Sequence, residues 1–389
     1  MGILFIPQGL VVPQGYALKA LEPIGHLLAI DSTLSLIGFT LFPEVGGLLP
    51  VICGVKLRFD CPFFTITYIH SYAIMCLPQY KGVNTMTKKM DISSFKLAQH
   101  FMKNHARPLE RALYEYEFEA TNYKKALQEL IAFQNPDGGF GHGLEPDLRC
   151  NESSALATTY ALGILGELPA FEEKKNVVCQ ALDYFITSYQ DDHTGWDIIP
   201  VEAERSPRAI WWQYGVFSDN WGNPNADIVG FFIQYRDLVT YEKLDMLIDY
   251  AIQHLLETCD LAEMHELFCY LRLYEQLKLN TKKRTKIEDR LQRFINNCVI
   301  ADPAKREGYV AGPLQIIDSP KSTHYRKFAN ILPMELDHLI GQQATDGAWA
   351  PNWEWHQYEN DWPIAEKEWK GILTLQALRI LRNFKYLPI

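Results

Sequence analysis

From residue 86 onward, apolar positions recur every three or four residues among charged ones, the spacing of helices that bury one face. The run "ARPLERALYEYEFEATNYKKALQELIAFQ" (106–134) predicts a helix or helical pair interrupted near Thr121–Tyr123. In "ESSALATTYALGILGEL" (152–168) small and apolar residues cover nearly every side, so this helix should be buried, with Asn151 as its cap. Amphipathic runs follow over 172–190, 226–241, 242–258, 261–279, 285–300, 331–343 and 366–384. No stretch in this region alternates long enough to build a sheet, and the predicted class is all-α.

Residues 1–85 read differently. Prolines and glycines break apolar runs such as "HLLAIDSTLSLIGFTLF" and "GGLLPVICGV", and neither helical nor alternating periodicity is sustained. Asp31 interrupts the first run, and the second is about half the roughly 20 residues a bilayer span needs, so no integral membrane span is expected. The change of texture at Met86 suggests a natural start at Met86 or Met90. On that reading 1–85 is an apolar, mis-assigned extension and 86–389 is the domain; a genuine apolar anchor or small domain is the alternative.

Charge narrows the partners. The formal net charge is −10, and residues 1–85 contribute four bases (Lys19, Lys56, Arg58, Lys81) against four acids (Glu22, Asp31, Glu44, Asp60), so the imbalance lies in the later part. A polyanion such as nucleic acid is therefore not expected as a partner. Eight cysteines at scattered spacings, without C-x-x-C, indicate neither a zinc knuckle nor a disulfide framework. A reduced, cytoplasmic setting fits, with peripheral membrane contact left open, and the start "MGILFIPQGLVVPQGYALK" lacks the layout of a secretory signal.

The links between helices share a pattern. A glutamine near a helix end is followed by a turn carrying glycine and an aromatic residue in "FQNPDGGFG" (133–141), "YQDDHTGWD" (189–197) and "QQATDGAWA" (342–350). Asp or Asn before glycine favours a turn with positive φ, and the aromatic can fall back onto the helix ends.

The glutamine, glycine and tryptophan spacing of "QQATDGAW" resembles the QW repeat of squalene and terpenoid cyclases. "DGGFGHGLEPDLRCNESSALATTYAL" is similar to the loop and following helix of protein prenyltransferase β subunits, where D-G-G-F-G precedes A-x-T-Y-A. Both families share the α/α toroid, an inner ring of helices within an outer ring, and the resemblance implies that fold over roughly residues 100–385. Activity motifs depart from it. No D-x-D-D is present, "DDHTG" (191–195) stops short of D-D-x-x-D, and no D-x-C pair matches the Asp, Cys and His that hold zinc in prenyltransferases, although His265 lies near Cys259 and Cys269.

Three regions are candidates for chemistry. In "GFGHGLEPD" the G-x-G does not make a phosphate cradle, because a helix precedes it and about nine residues separate it from the next. Its second half offers His142, Glu145 and Asp147 at the threshold of the buried helix, where a partly desolvated carboxyl can act as an acid; capping, or pairing with Arg149, is the structural alternative. The long loop 193–227 mixes Trp196, Trp211, Trp212 and Trp221 with Asp197, Glu202, Glu204, Asp219 and Asp227. Such aromatic walls suit carbocations or sugar rings, or merely plug the end of a barrel. In "GAWAPNWEWHQYENDWP", Trp349 belongs to the repeated turn, while Trp353 and Trp355 are candidates to roof a pocket.

These readings lead to a terpenoid-cyclase-like enzyme acting on an apolar isoprenoid, with Glu145 or Asp147 as acid, His142 beside them and tryptophans stabilising the cation. A carbohydrate-active enzyme, lyase or glycosidase, on a helical toroid is the alternative; a noncatalytic toroid that binds a ligand is the third. The expected ligand is a small apolar or carbohydrate molecule. No cofactor is expected, Mg2+ and Zn2+ are left open, and the oligomeric state is not fixed.

Overall fold

Helix boundaries follow from local chemistry. In α1 (Ile92–Asn104) the Asp91 carboxylate accepts from the Ser94 amide, satisfying a free N–H of the first turn. Pro108 sits in the first turn of α2 (Pro108–Glu119), and Ala120 ends it in a left-handed conformation. The interruption expected near Thr121 is therefore real, and Asn122 caps α3 (Tyr123–Ile131). The buried helix α4 (Ala155–Glu167) is capped by Ser154, which bonds to the Ala157 amide, and not by Asn151. Asn151 instead lends its carbonyl to Asn135.

Beyond it come α5 (Phe171–Ser188), α6 (Gly222–Gln234), α7 (Leu244–Gln253), which continues as a π-helical turn (His254–Thr258), and α8 (Met264–Gln276). The chain then forms α9 (Thr281–Cys298), the short α10 (Tyr325–Phe328), α11 (Leu332–Gly341) and α12 (Trp362–Asn383). The computed structural model describes residues 54–61, 64–71 and 89–389. Residues 4–86 and 87–389 fall into separate units, and the twelve α-helices among the described residues belong to the latter.

In the first unit, β1 (Gly54–Cys61) and β2 (Phe64–Ser71) pair antiparallel, Gly54 opposite Ser71 and Cys61 opposite Phe64. This corrects the expectation of no alternating periodicity before residue 86. "VKLRFDC" does alternate, but over a window short enough to be swamped by the flanking apolar and proline-rich runs. The rest of 1–85, including the runs 26–42 and 46–53, lies outside the described residues.

Within the helical unit, α4 packs on α5 and α6, α6 on α7 and α8, and α8 on α9; α12 packs on both α1 and α2. One large core runs through these contacts. A smaller cluster gathers Leu148, Cys150, Ile198, Ile199, Ala203, Ala209, Trp212, Trp355 and Ala365 beneath the loops.

Two of the glutamine turns make matching bonds. Gln134 Nε2 donates to Gly138 O at 2.9 Å and reaches Val177 O in α5 at 3.3 Å; Gln343 Nε2 donates to Gly347 O at 2.9 Å and to Ser94 O in α1 at 2.9 Å. The amides of Phe140 and Trp349 donate to Thr158 and Thr374, in α4 and α12. Gly138 and Gly347 both have φ of +90°, and a Cβ at either would lie within 2.2–2.4 Å of a carbonyl oxygen of the helix beside it, Gln180 in α5 or Leu97 in α1. The middle turn differs, since Gln190 bonds to Asp197 and the Trp196 amide to Asn225.

Candidate functional site

Arg107 anchors the loop that carries Glu145 and Asp147. Its guanidinium, just ahead of α2, bonds Glu110 through Nε at 2.5 Å and donates to the carbonyls of Gly143 (3.1 Å) and Leu144 (2.9 Å). The side chains of both Arg107 and Glu110 are buried. Glu368 of α12 joins this network by accepting from Arg149. A loop of glycines thus gains a fixed path from one arginine.

Asp147, 3 % exposed, accepts three indole N–H bonds. Trp355 and Trp369 donate to Oδ1, each at 2.7 Å, and Trp353 donates to Oδ2 at 3.1 Å. One carboxylate so unites a loop residue, two residues of the 349–362 segment and a residue of α12. Burial pushes its pKa up to about 6, against the three indole bonds, which favour the charged form. Glu145 lies close enough to couple to it. Its Oε2 is enclosed and without a hydrogen bond, and burial, followed by the charge of Asp147, pushes its carboxyl well above the usual range.

A carboxyl whose pKa is higher folded than unfolded holds its proton more tightly in the fold. Its contribution to stability is complete below the unfolded value near pH 4 and is lost as pH rises through the folded value. Urea unfolding at pH 5 and pH 8 should therefore show a stability loss in wild type that is smaller in Glu145→Gln. An equal loss in both proteins would contradict the assignment.

His142 does not join the carboxylates. It adopts positive φ (+55°), lies exposed, and meets Asn135 Oδ1 through Nε2 at 2.8 Å. Among the aromatic candidates, Trp196 is buried against Phe185, Tyr189 and Phe232, and its indole donates to Phe185 O. Trp221 donates to Thr194 O. Trp211 and Trp212 pack with the smaller cluster, where the Trp212 indole N–H has no partner. Asp197 accepts from Gln190 and Tyr214, and Asp227 forms a two-pronged pair with Arg272. Of the eight residues expected to bind substrate, Trp353 and Trp355 are brought to Asp147, and Trp353 also lines a cavity of the helical unit.

That cavity encloses about 1130 Å³. Trp353, Trp369, Tyr309, Phe268 and Trp349 form aromatic parts of its wall. Trp353 meets Trp369 and Tyr309 edge-on, each at 5.1 Å between ring centroids. The wall also includes the amides of Gln315, Gln342, Asn352, Gln376 and Asn383, the charged Glu117, Glu167, Asp318, Arg379 and Arg382, and aliphatic residues such as Leu113, Leu314, Leu339, Leu373 and Ile380. Arg379 and Arg382 both bond Glu117, at 2.8 Å and 3.0 Å, and Arg379 also reaches Glu167 at 3.0 Å. A recess of about 270 Å³ shares Phe268, Gln315 and Asp318 with the larger space.

At the aromatic wall, three residues form a chain. Glu263 Oε1 lies 2.6 Å from His265 Nδ1, and His265 Nε2 lies 3.2 Å from the Tyr309 hydroxyl. An ionised carboxylate only accepts, so Nδ1 carries the proton of the neutral ring and Nε2 accepts from the phenol. Burial raises the Glu263 pKa, but the bonds from His265 and Glu266 outweigh it and leave the carboxyl below its ordinary value. Tyr309 is 44 % exposed, yet desolvation of its hydroxyl, and then the charges of Asp147, Glu145 and Glu263, push its pKa upward. The phenol therefore stays protonated at neutral pH.

Tyr309, Trp369 and the Glu263–His265 pair were not singled out as cavity residues from sequence. His265 stood out only for its nearness to cysteines, whereas its partners are Glu263 and Tyr309. No family model matches the chain, and no curated protein matches it.

Proposed function

We propose that the helical unit is an α/α toroid that binds a carbohydrate chain and cleaves a glycosidic bond. The toroid reading is supported by the succession of helix pairs from α4 to α9 and by α12 packing back on α1 and α2. The matching bonds of the turns at Gln134 and Gln343 support a repeated unit akin to the QW repeat.

The observation that carries the function is the lining of the cavity. A terpenoid cyclase needs enclosed, mainly apolar walls, because water or a nucleophilic side chain would quench a carbocation. Here amides and ion pairs share the wall with indole and phenol rings and with aliphatic residues such as Leu314, Leu339 and Ile380, and the rings and amides together suit stacking on a sugar face and hydrogen bonding to its hydroxyls. This favours the carbohydrate alternative. Trp353 and Trp369 would hold sugar rings. As water adds to the anomeric carbon and the glycosidic C–O bond breaks, Tyr309 would give its phenol proton to the leaving oxygen, and His265 Nε2 would take the proton released by that water and pass it to the phenolate. Asp147 acts behind the wall as a positioning residue, holding the two indoles.

The test is turnover by the full chain on a panel of acidic and neutral polysaccharides, read by new reducing ends and by the ultraviolet absorbance of unsaturated products. Tyr309→Phe should lower kcat by about 100-fold or more, the usual weight of a positioned acid, with KM little changed. Trp353→Ala should chiefly raise KM. Turnover of an isoprenoid alone, or wild-type activity in Tyr309→Phe, would defeat the reading.

A further inference from the structure

His254, Cys259 and Glu266 bring an imidazole, a thiol and a carboxylate together, with one ligand atom from each inside a span of 4.8 Å. They belong to the joint between α7 and α8, and none of them lines the cavity.

The backbone explains how they meet. Where α7 ends, the helix widens into the π-turn His254–Thr258, and the Cys259 amide closes an i to i+5 bond on His254 O at 2.9 Å. An ordinary α-turn pairs residues four apart, whereas this wider turn pairs His254 with Cys259, five apart. Glu266 comes from the first turn of α8, where Glu263 caps the amides of His265 and Glu266. Its Oε1 accepts the Gly222 amide at 2.8 Å, and Oε2 faces Asn220 at 3.4 Å. These bonds orient the carboxylate toward the cluster in the way outer-shell donors orient metal ligands.

We propose that His254, Cys259 and Glu266 bind a zinc ion that ties α7 to α8. A nitrogen, sulfur and oxygen set suits zinc, while magnesium and calcium prefer oxygen alone. With bonds of about 2.0–2.3 Å, tetrahedral zinc separates its ligands by roughly 3.3–3.8 Å. His254 Nδ1 is already 3.8 Å from Glu266 Oε1, so small side-chain movements complete the geometry. The Tyr270 hydroxyl, hydrogen-bonded to Nδ1 at 2.7 Å, would give up that bond to the ion and move outward to offer an oxygen for the fourth position. Cys259 and Glu266 are 3 % and 1 % exposed, which leaves no open face for substrate and makes the ion structural.

The full chain should be stripped with a chelator, reloaded with zinc, dialysed and analysed for metal. Wild type should retain one zinc per chain and melt at a higher temperature than the stripped protein; Cys259→Ser should show neither, and Cys150→Ser should behave as wild type. Cobalt added to the stripped wild type should give a thiolate-to-cobalt charge-transfer band, a readout that needs no variant to fold. Absence of that band, or equal zinc retention by wild type and Cys259→Ser, overturns the proposal.

Discussion

Asp147→Ala should lower the unfolding free energy by about 3–5 kcal/mol, read as a fall in the urea midpoint at pH 7. The size follows from what is left behind. Three indole N–H groups from Trp353, Trp355 and Trp369 lose their acceptor at once, and each buried donor without a partner costs roughly 1–3 kcal/mol. Relief of the buried carboxyl's own desolvation offsets part of this, which is why the expected sum is below the upper limit. Asp147→Asn, which keeps an acceptor oxygen, should recover much of the loss. If alanine and asparagine proved equally mild, Asp147 would not be the tie that joins the loop to α12.

Arg107→Ala should be comparably damaging, at about 3–5 kcal/mol, the range found when one member of a buried ion pair is removed. Glu110 would then sit charged and alone beneath α2, and the carbonyls of Gly143 and Leu144 would lose their donor. The sharper discriminator is the double substitution Arg107→Met with Glu110→Leu, which removes both charges and should restore part of the stability. A double variant as unstable as Arg107→Ala would locate the cost in the loop contacts instead of the stranded carboxylate.

Much of the helical part was legible because its apolar spacing persists over long windows, and even the break between α2 and α3 could be placed. What periodicity misses are choices between equivalent local signals. Asn151 and Ser154 are both good caps, and the decision for Ser154 comes from its amide bond to Phe140 O, a contact set by the glycine turn. The β1–β2 pair escaped notice because an eight-residue alternation is weak against an aperiodic background of apolar residues.

The candidate site divides along the same line. Glu145 and Asp147 were visible as carboxylates entering a buried helix, and Trp353 and Trp355 as members of a tryptophan-dense segment. Their convergence was not visible, since the bonds joining Asp147 to its indoles span 206 to 222 residues. Trp369 looks like any apolar residue of an amphipathic helix. His265 drew attention over His254 because it stands between two cysteines in sequence, yet a π-turn, which no spacing rule announces, gives His254 its thiol neighbour.

The packing of α12 on α1 has a consequence for the order in which the protein can be assembled. Gln343 must reach back 249 residues to the Ser94 carbonyl, and the Met90 amide finds its acceptor at Tyr386. As a ribosome delivers the chain, α1, α2 and α3 can meet within seconds, but the contacts of α1 with α12 have to wait for almost the whole remaining chain. Closure by such distant contacts is costly in loop entropy and slow. The face of α1 that meets α12 is thus among the last surfaces of the helical unit to be covered, and nascent chains stalled before α12 should display it to chaperones.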